Sequence, residues 1–236
     1  MYFGYYYMTG AEMAVYLFVL LPAIILSLWA SYNVNSTYKK YSKVRCNMGL
    51  TANDVVRRIL DANGLNNVRI EHISGELTDH YDPKANVIRL SDSTDGSNSA
   101  AAIGVAAHEA GHAVQHAVGY TPIKIRMALV PVCNIGSSLA IPLILLSFLF
   151  SIPSLAYVGI FAFATATVFQ LVTLPVEFDA SRRAISILEN GYMSGDDLNA
   201  SKKVLRAAAL TYVAALAVSL ANLLRLFVMV NSRHRD

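Results

Sequence analysis

The chain has 236 residues, a length that suits one domain or two small ones. Hydrophobic residues make up 55% of it and charged residues only 15%, whereas soluble domains contain about 25% charged residues. This composition excludes an ordinary soluble enzyme and a disordered chain, and a net charge of +3 is too small to indicate a polyanion partner. The two cysteines, Cys46 and Cys133, cannot build a disulfide scaffold and are predicted to be free thiols.

Four apolar stretches are long enough to cross a bilayer, which takes roughly 20 residues of helix. Two of them share an uncharged run from Met127 to Val176, with turn-forming residues at 151–154. The predicted spans are residues 14–32, 127–150, 154–176 and 207–230. The chain is therefore predicted to be a mainly α integral membrane protein with about four transmembrane helices. It is expected to form a single domain over residues 1–236 and to have the lipid bilayer as a partner.

Lysine and arginine residues orient the predicted spans. They follow the first span, precede the second, lie near both ends of the 177–206 segment, and are missing from the turn at 151–154. Cytoplasmic loops carry an excess of these residues. The segments 33–126 and 177–206 are therefore predicted to be cytoplasmic, in a multi-pass protein of the cell membrane.

The segment 33–126 is predicted to form a small α+β cytoplasmic insert. The residues from Thr51 to Asp54 form a capping-box pattern, which predicts a helix over about 51–63. Helix formers begin again at Ala100, and Ser194 precedes another helix start that can continue into the fourth span. The predicted strands are residues 67–73, 76–81 and 86–90.

The strongest chemical signal is the sequence His108-Glu109-Ala110-Gly111-His112. Residues four apart share one face of a helix, so His108 and His112 can bind one Zn²⁺ through their ring nitrogens. Glu109 lies beside the first ligand and can reach the metal-bound water without ligating the metal, as the general base of a zinc hydrolase does. The sequence thus predicts one Zn²⁺ per chain on a zincin-like helix.

A catalytic zinc needs a third protein ligand as well as an open position. His116 continues the spacing, but it lies about 12 Å along the helix axis from His108, so it is expected either to support the site or simply to lie at an interface, rather than to ligate. Glu177 is the better candidate, because it is the first charge after the uncharged run and ends the third span. The alternatives that remain open are His72, His80 and Asp179, the last of which can also support a ligand histidine.

The motif His-Glu-Ala-Gly-His, the membrane hairpin and the later Glu-Phe-Asp-Ala-Ser-Arg-Arg-Ala together resemble the YugP-like neutral zinc metallopeptidases of prokaryotic membranes. The stretch from Asp79 to Ser91 is also similar, so the resemblance covers roughly residues 10–230. A more distant similarity is to HtpX-type and prenyl-protein membrane endopeptidases, in which a Glu-x-x-x-Asp follows His-Glu-x-x-His. The resemblance implies that His108, His112 and Glu177 are ligands and that Glu109 is the base. Ser181 stands where the distant relatives have the aspartate.

Three further features of the site are expected only in outline. The candidates for supporting the ligands or the transition state are Asp179, His116, Ser181 and Arg183. The oxyanion donor is not assigned, with Tyr192, Arg183 and His116 as candidates. The segment from Asn86 to Ser91 is expected to be an edge strand that pairs with the substrate backbone, the alternative being an ordinary internal strand.

These observations predict a membrane-bound zinc-dependent endopeptidase that hydrolyses peptide bonds with zinc-activated water and a Glu general base. Its expected partner is a peptide or membrane-protein substrate, with no nucleic acid. The chain has no phosphate-binding loop, so an ATP-dependent protease and a nucleotide partner are excluded. The alternative is a non-catalytic zinc-binding membrane scaffold or regulatory protein, and the oligomeric state stays open.

Overall fold

The structure is a computed structural model that describes residues 8–232. The helices are α1 (Gly10–Tyr41), α2 (Ala52–Ala62), α3 (Ala100–Ala117), α4 (Thr121–Phe150), α5 (Pro153–Gly191) and α6 (Gly195–Ser232). The strands are β1 (Arg69–Ile73), β2 (His80–Asp82) and β3 (Val87–Ser91). The mainly helical fold class is confirmed, and α1, α4, α5 and α6 are each long and apolar enough to cross a membrane.

Contacts within the chain divide it into two compact units. Within the described part of the chain, the apolar unit comprises residues 8–29, 126–172 and 213–232, and the site unit comprises residues 30–125 and 173–212. The four long helices each contribute residues to both units. The organisation as a single domain therefore stays a prediction.

Large apolar side chains cover the outside of the apolar unit. Phe18, Leu149 and Phe161 leave 78%, 73% and 76% of their surface exposed. In water, contiguous apolar surface of this kind is unfavourable, whereas helices that cross a bilayer present such side chains to lipid. The exposed surface of this unit therefore agrees with a membrane protein.

Small residues and hydroxyl groups hold the helices of the apolar unit together. A β-carbon on Gly136 of α4 would lie 2.7 Å from the carbonyl oxygen of Ala162 on α5, so only glycine permits this close approach. The hydroxyl groups of Thr167 and Ser219 lie 2.8 Å apart and link α5 to α6. Both kinds of contact are typical of helix packing in lipid, where the burial of apolar surface does not drive helix association.

In the site unit, α2 forms as its sequence predicts. The Thr51 hydroxyl accepts the N–H of Asp54 at 3.3 Å, and the Asp54 carboxylate accepts the N–H of Thr51 at 2.9 Å. The capping box is thus confirmed, and it satisfies two backbone donors at the start of the helix. The apolar face of α2 packs in a buried core with residues of β3, α3, α5 and α6, among them Ile88, Leu90, Ile103, Leu188 and Leu205.

The sheet has the order β1-β3-β2, with β3 parallel to β1 and antiparallel to β2. The expectation that the segment from Asn86 to Ser91 is an exposed edge is therefore wrong, because β3 has a neighbour on each side. Val87, Ile88 and Leu90 are fully buried, which makes β3 the apolar centre of the sheet. The second strand is shorter than predicted, because Leu77 has a φ of 55°, which is incompatible with an extended strand.

Helix α3, which carries the His-Glu-Ala-Gly-His motif, packs tightly against α5. Ser99 caps its N-terminus by accepting the N–H of Ala102. A β-carbon on Gly111 would lie 2.8 Å from the carbonyl oxygen of Ala180. The glycine of the motif therefore lets the two helices approach closely enough for their polar side chains to meet.

Candidate metal centre

Three side chains from α3 and α5 converge in the site unit. His108, His112 and Glu177 each offer one donor atom, and these atoms lie within 4.8 Å of one another. The Glu177 Oε2 atom is 3.2 Å from His108 Nε2 and 3.5 Å from His112 Nε2. Glu177 is 1% exposed, so a charged carboxylate is held away from water and needs positive partners.

The donor set and its spacing fit zinc. Two imidazoles and one carboxylate are the protein ligands of a common type of catalytic zinc site, which leaves the fourth position open. With ligand atoms 2.0–2.1 Å from the metal, the atoms of a tetrahedral site lie about 3.4 Å from each other. The two nitrogen–oxygen distances of 3.2 and 3.5 Å bracket that value.

The outward nitrogens of both histidines are held by polar side chains. Ser181 Oγ lies 3.1 Å from His108 Nδ1, and Gln115 Oε1 lies 3.0 Å from His112 Nδ1. A hydrogen on Nδ1 of each ring can be donated to these oxygens, which leaves the lone pair of Nε2 available to a metal ion. Ser181, a candidate for supporting the ligands, thus contacts His108.

Gln115 joins the two helices that carry the donor atoms. Its Nε2 group donates to the carbonyl oxygen of Val176 at 2.8 Å and to Asp179 Oδ2 at 2.9 Å. The carboxylate of Asp179 also accepts hydrogen bonds from Arg182 and Arg183. A buried chain of hydrogen bonds therefore runs from His112 through Gln115 to a carboxylate that is neutralised by two guanidinium groups.

Sequence reasoning missed Gln115. The available signal was its position one helical turn after His112, a spacing at which side chains on a helix meet. Its partners on α5 could not be identified from local spacing, because they lie more than sixty residues further along the chain.

We expect Gln115→Met to weaken zinc binding about 10- to 100-fold, since a partner that orients a ligand histidine typically contributes that much to metal affinity. The methionine preserves the length of the side chain but removes the acceptor for His112 and both donors to α5. Competition with a chromophoric chelator measures the affinity. Gln170→Met makes the same replacement in the apolar unit and serves as the control, and equal affinities in the two variants would contradict the prediction.

Glu109 is buried beside the three donor residues. The backbone N–H of Tyr81 on β2 donates to Glu109 Oε2 at 3.0 Å, so the sheet orients this carboxylate. Burial raises the pKa of Glu109 above its ordinary value, an effect that His108 and His112 oppose and that Glu177 and Asp79 reinforce. A carboxylate with a raised pKa is suited to accept and return a proton near neutral pH.

The other candidate residues lie elsewhere. His116 is exposed, with its ring against Tyr81, and His72 is paired with Asp92 at 2.7 Å. His80 contacts the Thr78 carbonyl oxygen and Arg89 rather than the three donor residues. Of the two remaining oxyanion candidates, Arg183 is held between Asp179 and the Tyr120 ring, and Tyr192 packs against the buried core.

Comparison with known proteins identifies the family. The family described as "Putative neutral zinc metallopeptidase" matches residues 16–231. The chain belongs to this zinc metallopeptidase family. It is also 46% identical, over 223 residues, to the protein named "Putative membrane protease YugP" of Bacillus subtilis (strain 168), and this match covers 94% of the chain and 99% of the relative. No solved structure matches the chain.

Family membership agrees with the features of the site and the helices. Zinc is the cofactor of the family, and the grouping of two imidazoles and one carboxylate is suited to hold it. The relative is named as a membrane protease, and this chain has four helices that could cross a membrane. The chain is thus a member of the zinc metallopeptidase family with four helices that are long and apolar enough to cross a membrane.

Proposed function

We propose that this chain is a membrane-embedded zinc endopeptidase that hydrolyses peptide bonds. In this proposal His108, His112 and Glu177 hold the zinc, and Glu109 is the general base. The proposal rests on one observation, the convergence of these three donor residues within 4.8 Å next to the buried carboxylate of Glu109. The proposed substrate is a peptide or a membrane protein.

The residues around the site have complementary roles in hydrolysis. When bound, zinc acts as a Lewis acid that polarises the scissile carbonyl and makes water nucleophilic near neutral pH. Glu109, oriented by the Tyr81 N–H, accepts the proton of the attacking water and returns it to the leaving amine. Ser181 and Gln115 keep the two ligand histidines in the tautomer that presents Nε2.

We also propose that the site faces the cytoplasm, because the positive-inside rule places residues 33–126 and 177–206 on that side. The prediction is tested in a background with Cys46→Ser and Cys133→Ser. Glu76→Cys, at an exposed position, should react with a membrane-impermeant maleimide only after the cells are permeabilised. Ser154→Cys should react with the same reagent in intact cells. The opposite labelling pattern would show that the protein has the inverse orientation in the membrane.

Metal removal tests the proposed activity. The detergent-purified protein is incubated with β-casein, and the products are identified by mass spectrometry. We expect cleavage that stops when the zinc is removed with 1,10-phenanthroline and returns on addition of Zn²⁺ but not of Mg²⁺, because nitrogen ligands favour zinc. Folded, zinc-loaded protein that leaves casein and a quenched-peptide library intact would contradict the proposal.

A further inference from the structure

A cavity of about 300 Å³ opens beside the candidate metal centre and lies wholly within the site unit. Its walls come from α1, the segment before β2, α3 and α6. His108 and Glu109 are among the residues that line it, so the cavity reaches the proposed reacting atoms. Any group that fills it while a peptide bond lies at the metal must belong to a residue close to that bond.

The lining of the cavity is mainly apolar. Its apolar side chains are those of Val34, Leu77, Val105, Val204, Leu205 and Ala208. Pockets that bind apolar groups combine such walls with a few polar groups that fix orientation, and here Thr211 and Tyr212 add hydroxyl groups. The lining therefore favours an aliphatic or aromatic side chain over a strongly hydrated one.

Apart from the proposed zinc ligand His108, the charged side chains that line the cavity are acidic. Asp79 and Glu109 contribute carboxylates, and the lining residues in the described part of the chain include no lysine or arginine. Asp79 is fixed in place by the N–H and hydroxyl of Ser91 and by the hydroxyl of Thr94. An acidic side chain entering the cavity would lose its hydration next to these two carboxylates, so it is disfavoured even beside a zinc ion, whose 2+ charge Glu177 and Glu109 balance.

We propose that this cavity is the specificity pocket of the enzyme, which takes a large apolar side chain of a residue adjacent to the scissile bond and rejects Asp and Glu. The inference rests on the proposed function and deepens it, because it names the substrate class of the same site. The volume of the cavity favours a large side chain, because a methyl group would leave most of the cavity without contacts.

The first experiment measures cleavage preference. Internally quenched peptides built on the best casein site carry Phe, Leu, Ala, Lys or Glu at each position flanking the cleaved bond. At one flanking position, kcat/KM for Phe or Leu should exceed that for Ala by about tenfold or more, which is the range that apolar pockets achieve. Glu at the same position should be the poorest substrate.

The second experiment assigns the preference to the cavity. Ala208→Leu places extra volume in the lining, and it should lower the Phe-to-Ala ratio of kcat/KM about tenfold. Ala209→Leu makes the same change at the next position of α6, which does not line the cavity, and should leave the ratio unchanged. A ratio that moves equally in both variants would overturn the proposal.

A charge change gives an independent readout. Asn35 is an exposed residue of the lining, and Asn35→Lys introduces a cation at the cavity. Cleavage of the Glu peptide relative to the Phe peptide should rise about two- to fivefold, the range that an exposed ion pair contributes. Ser36→Lys, at the exposed neighbouring position outside the lining, is the control and should not change this ratio.

The outcomes separate the two proposals. If zinc-loaded protein cleaves no peptide at all, the endopeptidase function fails and the pocket proposal fails with it. If peptides are cleaved without an apolar preference at any flanking position, or if the Ala208→Leu and Asn35→Lys ratios match those of their controls, the pocket proposal alone is overturned. A preference that both variants change in the stated directions supports it.

Discussion

Glu109→Gln is expected to lower kcat about 10²- to 10⁴-fold while zinc remains bound, because the amide cannot accept the proton of the attacking water. Glutamine preserves the size of the side chain and can still accept the Tyr81 N–H through its oxygen, so the local structure should be retained. The measurement is peptide hydrolysis together with zinc content. Glu76→Gln, at an exposed position of the site unit, is the control and should behave as the unmodified protein.

The same variant separates the enzyme from the alternative of a zinc-binding scaffold. A scaffold requires the ligands but not the base, so cells that depend on this protein would tolerate Glu109→Gln. If the zinc-loaded variant hydrolyses peptides as fast as the unmodified protein, Glu109 is not the general base. The result is informative because the variant alters proton transfer without altering the donor atoms for the metal.

The sequence allowed the features with local signatures to be predicted. The capping box at Thr51 and Asp54 depends on residues three apart, and the spans depend on runs of apolar residues that no tertiary contact needs to complete. Glu177 was singled out because a charge that ends a long uncharged run is costly unless it has a function. The structure then brings that carboxylate next to the imidazoles of His108 and His112, as a metal site would require.

The features that depend on distant pairing could not be predicted in this way. The position of β3 within the sheet is decided by which strands pair with it, and an apolar strand pattern is the same at an edge and in the centre. Gln115 likewise has partners on α5 that no spacing rule identifies. The cavity is lined by residues from Val34 to Tyr212, so its shape exists only once α1, α3 and α6 have packed.

Glu177→Ala is expected to abolish stoichiometric zinc binding, with a loss of affinity greater than the roughly 10- to 100-fold that residues contacting a ligand histidine contribute. Only His108 and His112 would then remain, and two imidazoles leave half of a tetrahedral site without protein donors. Zinc content per chain, measured on detergent-purified protein by mass spectrometry of the metal, gives the result. Glu189→Ala, at an exposed position further along α5, is the matched control and should retain one zinc per chain.

Zinc that persists in Glu177→Ala would require another donor near the two histidines. Asp179 is the nearest carboxylate in sequence, but its oxygens already accept hydrogen bonds from Gln115, Arg182 and Arg183. Recruiting it would break the hydrogen bonds that orient His112 through Gln115. A double variant of Glu177 and Asp179 that still binds zinc would therefore contradict the proposed ligand set, whereas loss of zinc in Glu177→Ala alone supports it.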